Sequence, residues 1–286
     1  MAEQQGIQSV DAAVRILRAM ASVNRPMSLK DIASAGQMTA SNTHRYLVSF
    51  IKAQLVSQES SSGKYDLGPF ALQLGLAAMS RTDSITVATQ VLHELLAEID
   101  LPVTLSVWTP DGPTMIRWLD ASHPLTVNHK TGSRSPMLTS ASGRVFLTFE
   151  SSEKIKNVLA AEIRARKGRK ETTLMSPEDV SALSSEVRRH GLGRSIGERV
   201  NGINGLSAPI FDALGQLALT ISTVGLAHSF DPSYGGTVAR ALRAAADRAS
   251  ILLGYRPHLQ HITEDEQALS SGQKKPAANA VRSGAP

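Results

Sequence analysis

From Val10 the apolar residues recur at helical spacing, V-x-x-x-V-x-I-L-x-x-M. This predicts a helix with Val10, Val14, Leu17, Met20 and Ala21 on one face, ended by Asn24, Arg25 and Pro26. Ser28 then caps a short second helix. Asp31 follows three residues later in a capping-box pattern, Ile32 and Ala33 point inward, and Gly36 closes the helix. A third helix starts at Thr39 or Ser41. It hides Thr43 (through its methyl), Leu47, Phe50 and Ile51 at i, i+4, i+7, i+8 spacing, and shows Ala40, Ser41, Asn42, His44 and Arg45. Two short extended segments, Val56–Gln58 and Lys64–Leu67, flank a Ser-rich turn and read as a hairpin with Lys64 near its tip. Helix, tight turn, helix and hairpin together predict a winged helix-turn-helix.

The pattern then changes. "ALQLGLAAMSRTD" carries apolar residues at helical spacing and reads as a linker helix, and "ITVATQVLHELLAEID" as a clearer amphipathic one. "VTLSVWTPDGPTMIRWLD" has two β-rich runs around a turn signal, and "GLSAPIFDALGQLALTISTVG" has two more around "DALG". Between them "ASGRVFLTF" and "SEKIKNVLAAEIRAR" read as helices. "SPEDVSALSSEVRRHG" is a helix with Ser176 as N-cap, Pro177 first, two early acids, late arginines and a closing Gly191. Residues 232–253 form a last helix. This order predicts an α+β domain, an antiparallel sheet with helices on one side or at its ends. The expected division is 1–68 for the winged helix-turn-helix, 69–83 for the linker helix, 84–254 for the second domain and 255–286 for a disordered tail.

Composition narrows the function. A length of 286 residues with 42% hydrophobic content is enough for about two packed domains. No cysteine is present, which excludes disulfide frameworks and cysteine-based metal or redox sites. The N-terminus lacks a charged n-region followed by an apolar stretch, and no window approaches a membrane span, so a soluble, cytoplasmic protein is expected. The net charge of +5 permits a polyanionic partner without demanding one. Placement says more. A recognition helix enters the major groove by its N-terminal end, small residues there allow close approach, and the helix N-terminus favours phosphate. Thr39, Ala40, Ser41, Asn42, Thr43, His44 and Arg45, with Lys30 on the preceding helix and Lys64 on the wing, are the expected DNA contacts.

Three ordered stretches, "QSVDAAVRILRAM", "MSLKDIASAGQMTASNTHRYLVSFIKAQLV" and "GKYDLGPFALQLG", resemble the N-terminal domain of IclR-family bacterial transcription regulators. "TGSRSPMLTSASGRVFLTF", "VRRHGLGRSIGERVNGINGLSAPIFDALGQLALTISTVG" and the final helix resemble that family's ligand-binding domain, so the resemblance covers about residues 7–254. It implies a winged helix-turn-helix, a linker helix and an α/β effector domain, in a dimer or a tetramer of dimers on a roughly palindromic operator. It also places the effector pocket between the "SPMLTSASG" loop and the strands around Ser195, Gly202–Gly205 and Ser222. Met137 and Leu138 are then wall residues, Thr139, Ser140, Ser195 and Ser222 hydrogen-bonding candidates, and Ile203 an apolar lid contact. Family members sensing small oxoacids are expected to have an acid, a cysteine and a serine near positions 195, 205 and 224. Here Ser195, Gly205 and Val224 suggest a larger, less polar effector, an aromatic or branched organic acid.

Other motifs weigh less. "GRSIG" matches the G-x-S-x-G nucleophile elbow of hydrolases, but no strand leads into it and no helix follows, so Ser195 is not expected to be catalytic. "RARKGRK", residues 164–170, reads as a solvated connection. The histidines show no metal-ligand spacing, and His93, His123 and His129 read as surface or satisfied core residues. Neither metal nor cofactor is expected. The rivals to a regulator are a hydrolase using Ser195 and a protein–protein module whose helix-turn-helix is only an interaction surface.

Overall fold

The computed structural model describes residues 6–23, 25–81, 83–123, 131–168 and 176–256. Residues 257–286 of the expected disordered tail, His129 and the last two residues of "RARKGRK" lie outside these. Tyr255, the first residue of that tail, is instead held by its amide on the Ser250 carbonyl at 2.9 Å and by its ring against Phe211. Two compact units emerge, one reaching Arg81 and one running from Thr82 to Arg256.

The first unit contains α1 (Gln8–Ala21), α2 (Leu29–Ala35), α3 (Ala40–Lys52), the antiparallel strands β1 (Val56–Gln58) and β2 (Tyr65–Leu67), and α4 (Pro69–Arg81). Ser28 caps α2 by accepting from the Asp31 amide at 3.2 Å, and Thr39 caps α3 by accepting from the Asn42 amide at 3.3 Å. Ile16, Met20, Met27, Ile32, Leu47, Phe50, Val56 and Tyr65 form the core. Two details differ from the sequence pattern. The inward face of α1 is Ala12, Ile16, Ala19 and Met20, while Val10 and Val14 remain 53% and 38% exposed. The small alanines let α2 approach, and a Cβ on Gly36 would sit 3.7 Å from Ile16 Cγ1. Gly36 also keeps an ordinary helical φ of −79°, and Gln37 takes the left-handed position at φ 54°. The wing is tied to the body where Met27 and Tyr65 exchange backbone hydrogen bonds of 2.9 and 2.8 Å.

The second unit contains α5 (Ser84–Ile99), β3 (Val103–Thr109), β4 (Gly112–Leu119), α6 (Ala141–Phe149), α7 (Ser152–Gly168), α8 (Pro177–His190), β5 (Gly193–Ile196), β6 (Ile203–Phe211), β7 (Leu217–Leu226) and α9 (Thr237–Leu252). The strands form one antiparallel sheet in the order β4-β3-β7-β6-β5. Helices α5 and α9 cover one face through Val91, Leu92, Leu95, Leu242, Ala245 and Ala249, packed on Val103, Leu105, Leu206, Ala208, Leu219 and Ile221. Helix α6 lies on the opposite face, so the sheet is covered on both sides rather than on one side or at its ends. The fit of α6 is close: a Cβ on Gly143 would lie 2.0 Å from the Pro136 carbonyl oxygen. On α8 both halves of the Ser176–Asp179 capping box form, and Gly191 ends the helix at φ 65°. Among the described residues no helix is long and apolar enough to cross a membrane.

Candidate DNA-binding helix and effector cavity

Helix α3 divides its residues by burial. Thr43, Leu47 and Phe50 are buried, while Thr39, Ala40, Ser41, Asn42, His44 and Arg45 are exposed. Thr43 is fully buried on the core side, because its methyl continues the Leu47–Phe50 stripe. The expectation that it touches DNA is therefore corrected. The side chains of Asn42, His44 and Arg45 make no hydrogen bond or ion pair among the described residues, and neither do those of Lys30 and Lys64. These donors and acceptors are left free by the fold. Gly63, at φ 68°, donates its amide to the Glu59 carbonyl at 2.8 Å and shapes the wing's turn, placing Lys64 just after it. The Glu59 carboxyl beside it is held below its usual range, first by the Ser62 hydroxyl, then by Ser61 and the Lys64 charge.

In the second unit a cavity lies between the sheet and the N-terminal end of α6. It encloses about 620 Å³ of space, counting solvent at its open mouth. Ser140, Ser195, Ile203, Gly205, Ser222 and Val224 line it, from three strands and the start of α6. Met137, Leu138 and Thr139 do not. Met137 and Leu138 are fully buried in a separate apolar cluster with Leu147 and Ile155, and their amides donate to the Glu162 carboxylate at 2.8 and 3.1 Å. Thr139 contributes its carbonyl, which accepts from the Ser195 hydroxyl at 2.7 Å. That bond also answers the "GRSIG" motif. Ser195 sits within strand β5, 6% exposed, with its proton given to a backbone oxygen and no base in contact.

The cavity walls also include Thr104, Ser106, Met115, Trp118 and Arg199, which the sequence patterns had not singled out. A signal existed for the first two: "VTLSV" alternates strictly, and a sheet covered on both faces must bury the polar set as well as the apolar one. Arg199 lies in the β5–β6 connection and reaches across to the Ser135 hydroxyl at 3.3 Å and the Arg134 carbonyl at 3.1 Å. Among the described residues no carboxylate pairs with it. Burial disfavours its charge and pushes its pKa down. Its neighbour Glu198 is instead paired with Arg144, which holds the connection to α6.

The C-terminal model of the IclR bacterial transcriptional regulators matches residues 76–251, and the IclR helix-turn-helix model matches residues 9–60. The chain belongs to the IclR family. It is a DNA-binding transcriptional regulator and not an enzyme. Among its relatives, the regulator KdgR of Escherichia coli is 25% identical over 256 residues, covering 90% of this chain and 96% of that one. The transcriptional repressor IclR of Escherichia coli is 24% identical over 224 residues, covering 77% and 80%. The crystal structure of Pseudomonas aeruginosa HmgR superposes with a TM-score of 0.79 at 31% identity, covering 88% of this chain and all of that one. The Agobacterium tumefaciens repressor BlcR shares the fold, with a TM-score of 0.68 at 20% identity over 87% and 98%.

Proposed function

We propose that this IclR-family chain is a repressor whose hold on its operator is controlled by a small organic acid bound in the cavity beneath α6. On this reading α3 enters the major groove. Asn42, His44 and Arg45 meet base edges, Thr39, Ala40 and Ser41 pass close to the backbone, and Lys30 and Lys64 meet phosphates. The support is that all of these residues are exposed, and that the side chains of Ser41, Asn42, His44, Arg45, Lys30 and Lys64 make no hydrogen bond or ion pair among the described residues. Repressor names among the relatives, IclR and BlcR, favour that sign of control. Two such units on a roughly palindromic site require a dimer or a higher assembly. The apolar residues left outside at the start of α1 (Ile7), along it (Val10, Val14) and on α4 (Leu72, Leu74, Leu76) suit self-association.

Arg199 carries the acid half of the reading. A half-buried guanidinium facing a cavity without a carboxylate partner is an incomplete pair, and an effector carboxylate completes it. Trp118 on the cavity wall gives a flat surface for an aromatic frame. Small catabolic acids fit this chemistry. The effector shifts the equilibrium between arrangements of the two units only by binding one arrangement more tightly. The test is fluorescence anisotropy on the chain's own upstream DNA, titrated with benzoate, phenylacetate and short-chain acids. At least one acid should release the DNA from the parent protein, and Arg199→Gln should raise the required concentration about tenfold or more. Release unchanged in Arg199→Gln would remove the acid from this cavity.

A further inference from the structure

The two faces of the effector-domain sheet differ in chemistry. Toward α5 and α9 the strands present Val103, Leu105, Leu206, Leu219 and Ile221. Toward the cavity the alternate positions are hydroxylated. Thr104 is registered opposite Ser222 and Trp118, Ser222 opposite Ser207, and Ser106 opposite Thr220. All five of these hydroxyl residues are buried. Some are satisfied within the fold: Ser222 donates to Ser207 at 2.8 Å, and Ser207 reaches the Ile221 carbonyl at 3.4 Å. Others are not. The hydroxyls of Thr104 and Ser106, residues only 6% and 1% exposed, line the cavity and have no hydrogen-bond partner among the described residues. Thr220, beside Ser106 in the ladder, has none either.

A hydroxyl that has no partner in the protein and opens into a cavity is free to pair with what fills it, and a ligand that covers it without pairing loses affinity. Thr104 and Ser106, two positions apart on one strand, turn lone hydroxyls into the same cavity, and there a bound molecule supplies the partner. A Ser or Thr hydroxyl both donates and accepts. A ligand hydroxyl does the same and can satisfy both, whereas an apolar ligand end would seal them off unpaired.

We propose that the effector is a hydroxy acid, with its carboxylate at Arg199 and at least one hydroxyl seated against Thr104 and Ser106. This rests on the reading of the cavity as the effector site. It narrows the less polar acid suggested by Gly205 and Val224: those two positions make room, and Thr104 and Ser106 add hydroxyls to a wall that is otherwise mainly apolar.

The test uses the full chain and matched pairs of acids that differ only in hydroxylation. The pairs are benzoate with meta- and para-hydroxybenzoate, phenylacetate with its ring-hydroxylated forms, and cyclohexanecarboxylate with quinate. Affinity is read by titration calorimetry, and release of the upstream DNA by anisotropy. For at least one pair the hydroxylated member should bind roughly tenfold more tightly or better. In Thr104→Val, Ser106→Ala and the double variant that preference should fall below about threefold. The ligand-free melting temperature of these variants should stay level, because neither hydroxyl bonds to the protein and both open into the cavity. A drop in that melting temperature would mean that the hydroxyls are satisfied without a ligand, and would overturn the proposal. So would equal affinity within every pair, a preference that survives the double variant, or no binding by any acid. Should an unhydroxylated acid bind as well as its partner and release DNA in an Arg199-dependent way, the cavity reading stands and only the hydroxy-acid inference falls. Release that is indifferent to Arg199 removes both.

Discussion

Replacing Arg144 with Met should unfold the effector domain at markedly lower temperature while sparing the DNA-binding unit. The Arg144 side chain is 7% exposed and acts as a hub. Its Nε and Nη2 donate to the Leu138 carbonyl at 3.1 and 2.9 Å, its Nη1 donates to the Arg194 carbonyl, and its Nη2 pairs with Glu198. Methionine refills most of the stem's volume, so packing loss is small. The main cost is two carbonyls stripped of their donors, at about 1–3 kcal/mol each. Glu198, 36% exposed, returns to water and adds little. The total is about 4 kcal/mol. For a unit of this size each kcal/mol moves the melting temperature by about 2–4 °C, so a fall of roughly 8–16 °C is expected. Both tryptophans, Trp108 and Trp118, belong to the second unit, so intrinsic tryptophan fluorescence reports its melting alone. Arg144→Lys should recover less than half of the loss, because an ammonium cannot span the same partners. A shift under about 3 °C for the Met variant would refute the hub.

Further outcomes are expected. Arg45→Ala should weaken operator binding and leave acid binding unchanged by calorimetry; an unaltered DNA titration would remove α3 from the groove. Lys64→Ala should lower affinity across DNA sequences and reduce the slope of log affinity against log salt by about 1, whereas an unchanged slope would free the wing from phosphate. The Tyr234 hydroxyl has its pKa pushed up to about 12, by burial first and then by its bond to Glu186. Its folded-state value lies above the unfolded one, so its contribution is complete below about pH 10 and is lost as pH rises through about 12. Chemical denaturation of the parent and Tyr234→Phe should therefore converge across that window, and parallel curves would contradict the shift.

Local signals were legible where chemistry acts locally. The Ser28, Thr39 and Ser176 caps, the αL Gly191 and the paired hairpins were readable because caps and turns depend on a few adjacent residues. The buried stripe of α3 was readable as well, but it claimed Thr43 for the core and so removed it from the DNA face. Tertiary choices were less visible. Two apolar stripes competed on α1, and the one with alanines won because it permits close helix contact, leaving Val10 and Val14 outside. The family resemblance implied that the loop before α6 is a cavity wall, yet Glu162, about 25 residues away, draws Met137 and Leu138 into another cluster. Arg199 sits in a charged, glycine-rich stretch with no periodicity. Only the closing of the β5–β6 connection over the sheet brings it to the cavity.

The most direct measurement is the affinity of the purified chain for its own upstream DNA at two salt concentrations, with and without the acid that binds it most tightly. A regulator of the kind described binds that DNA specifically, loses affinity as salt rises, and releases it when the acid is added, with the release blunted in Arg199→Gln. Specific, salt-dependent binding that no acid alters would contradict effector control through this cavity.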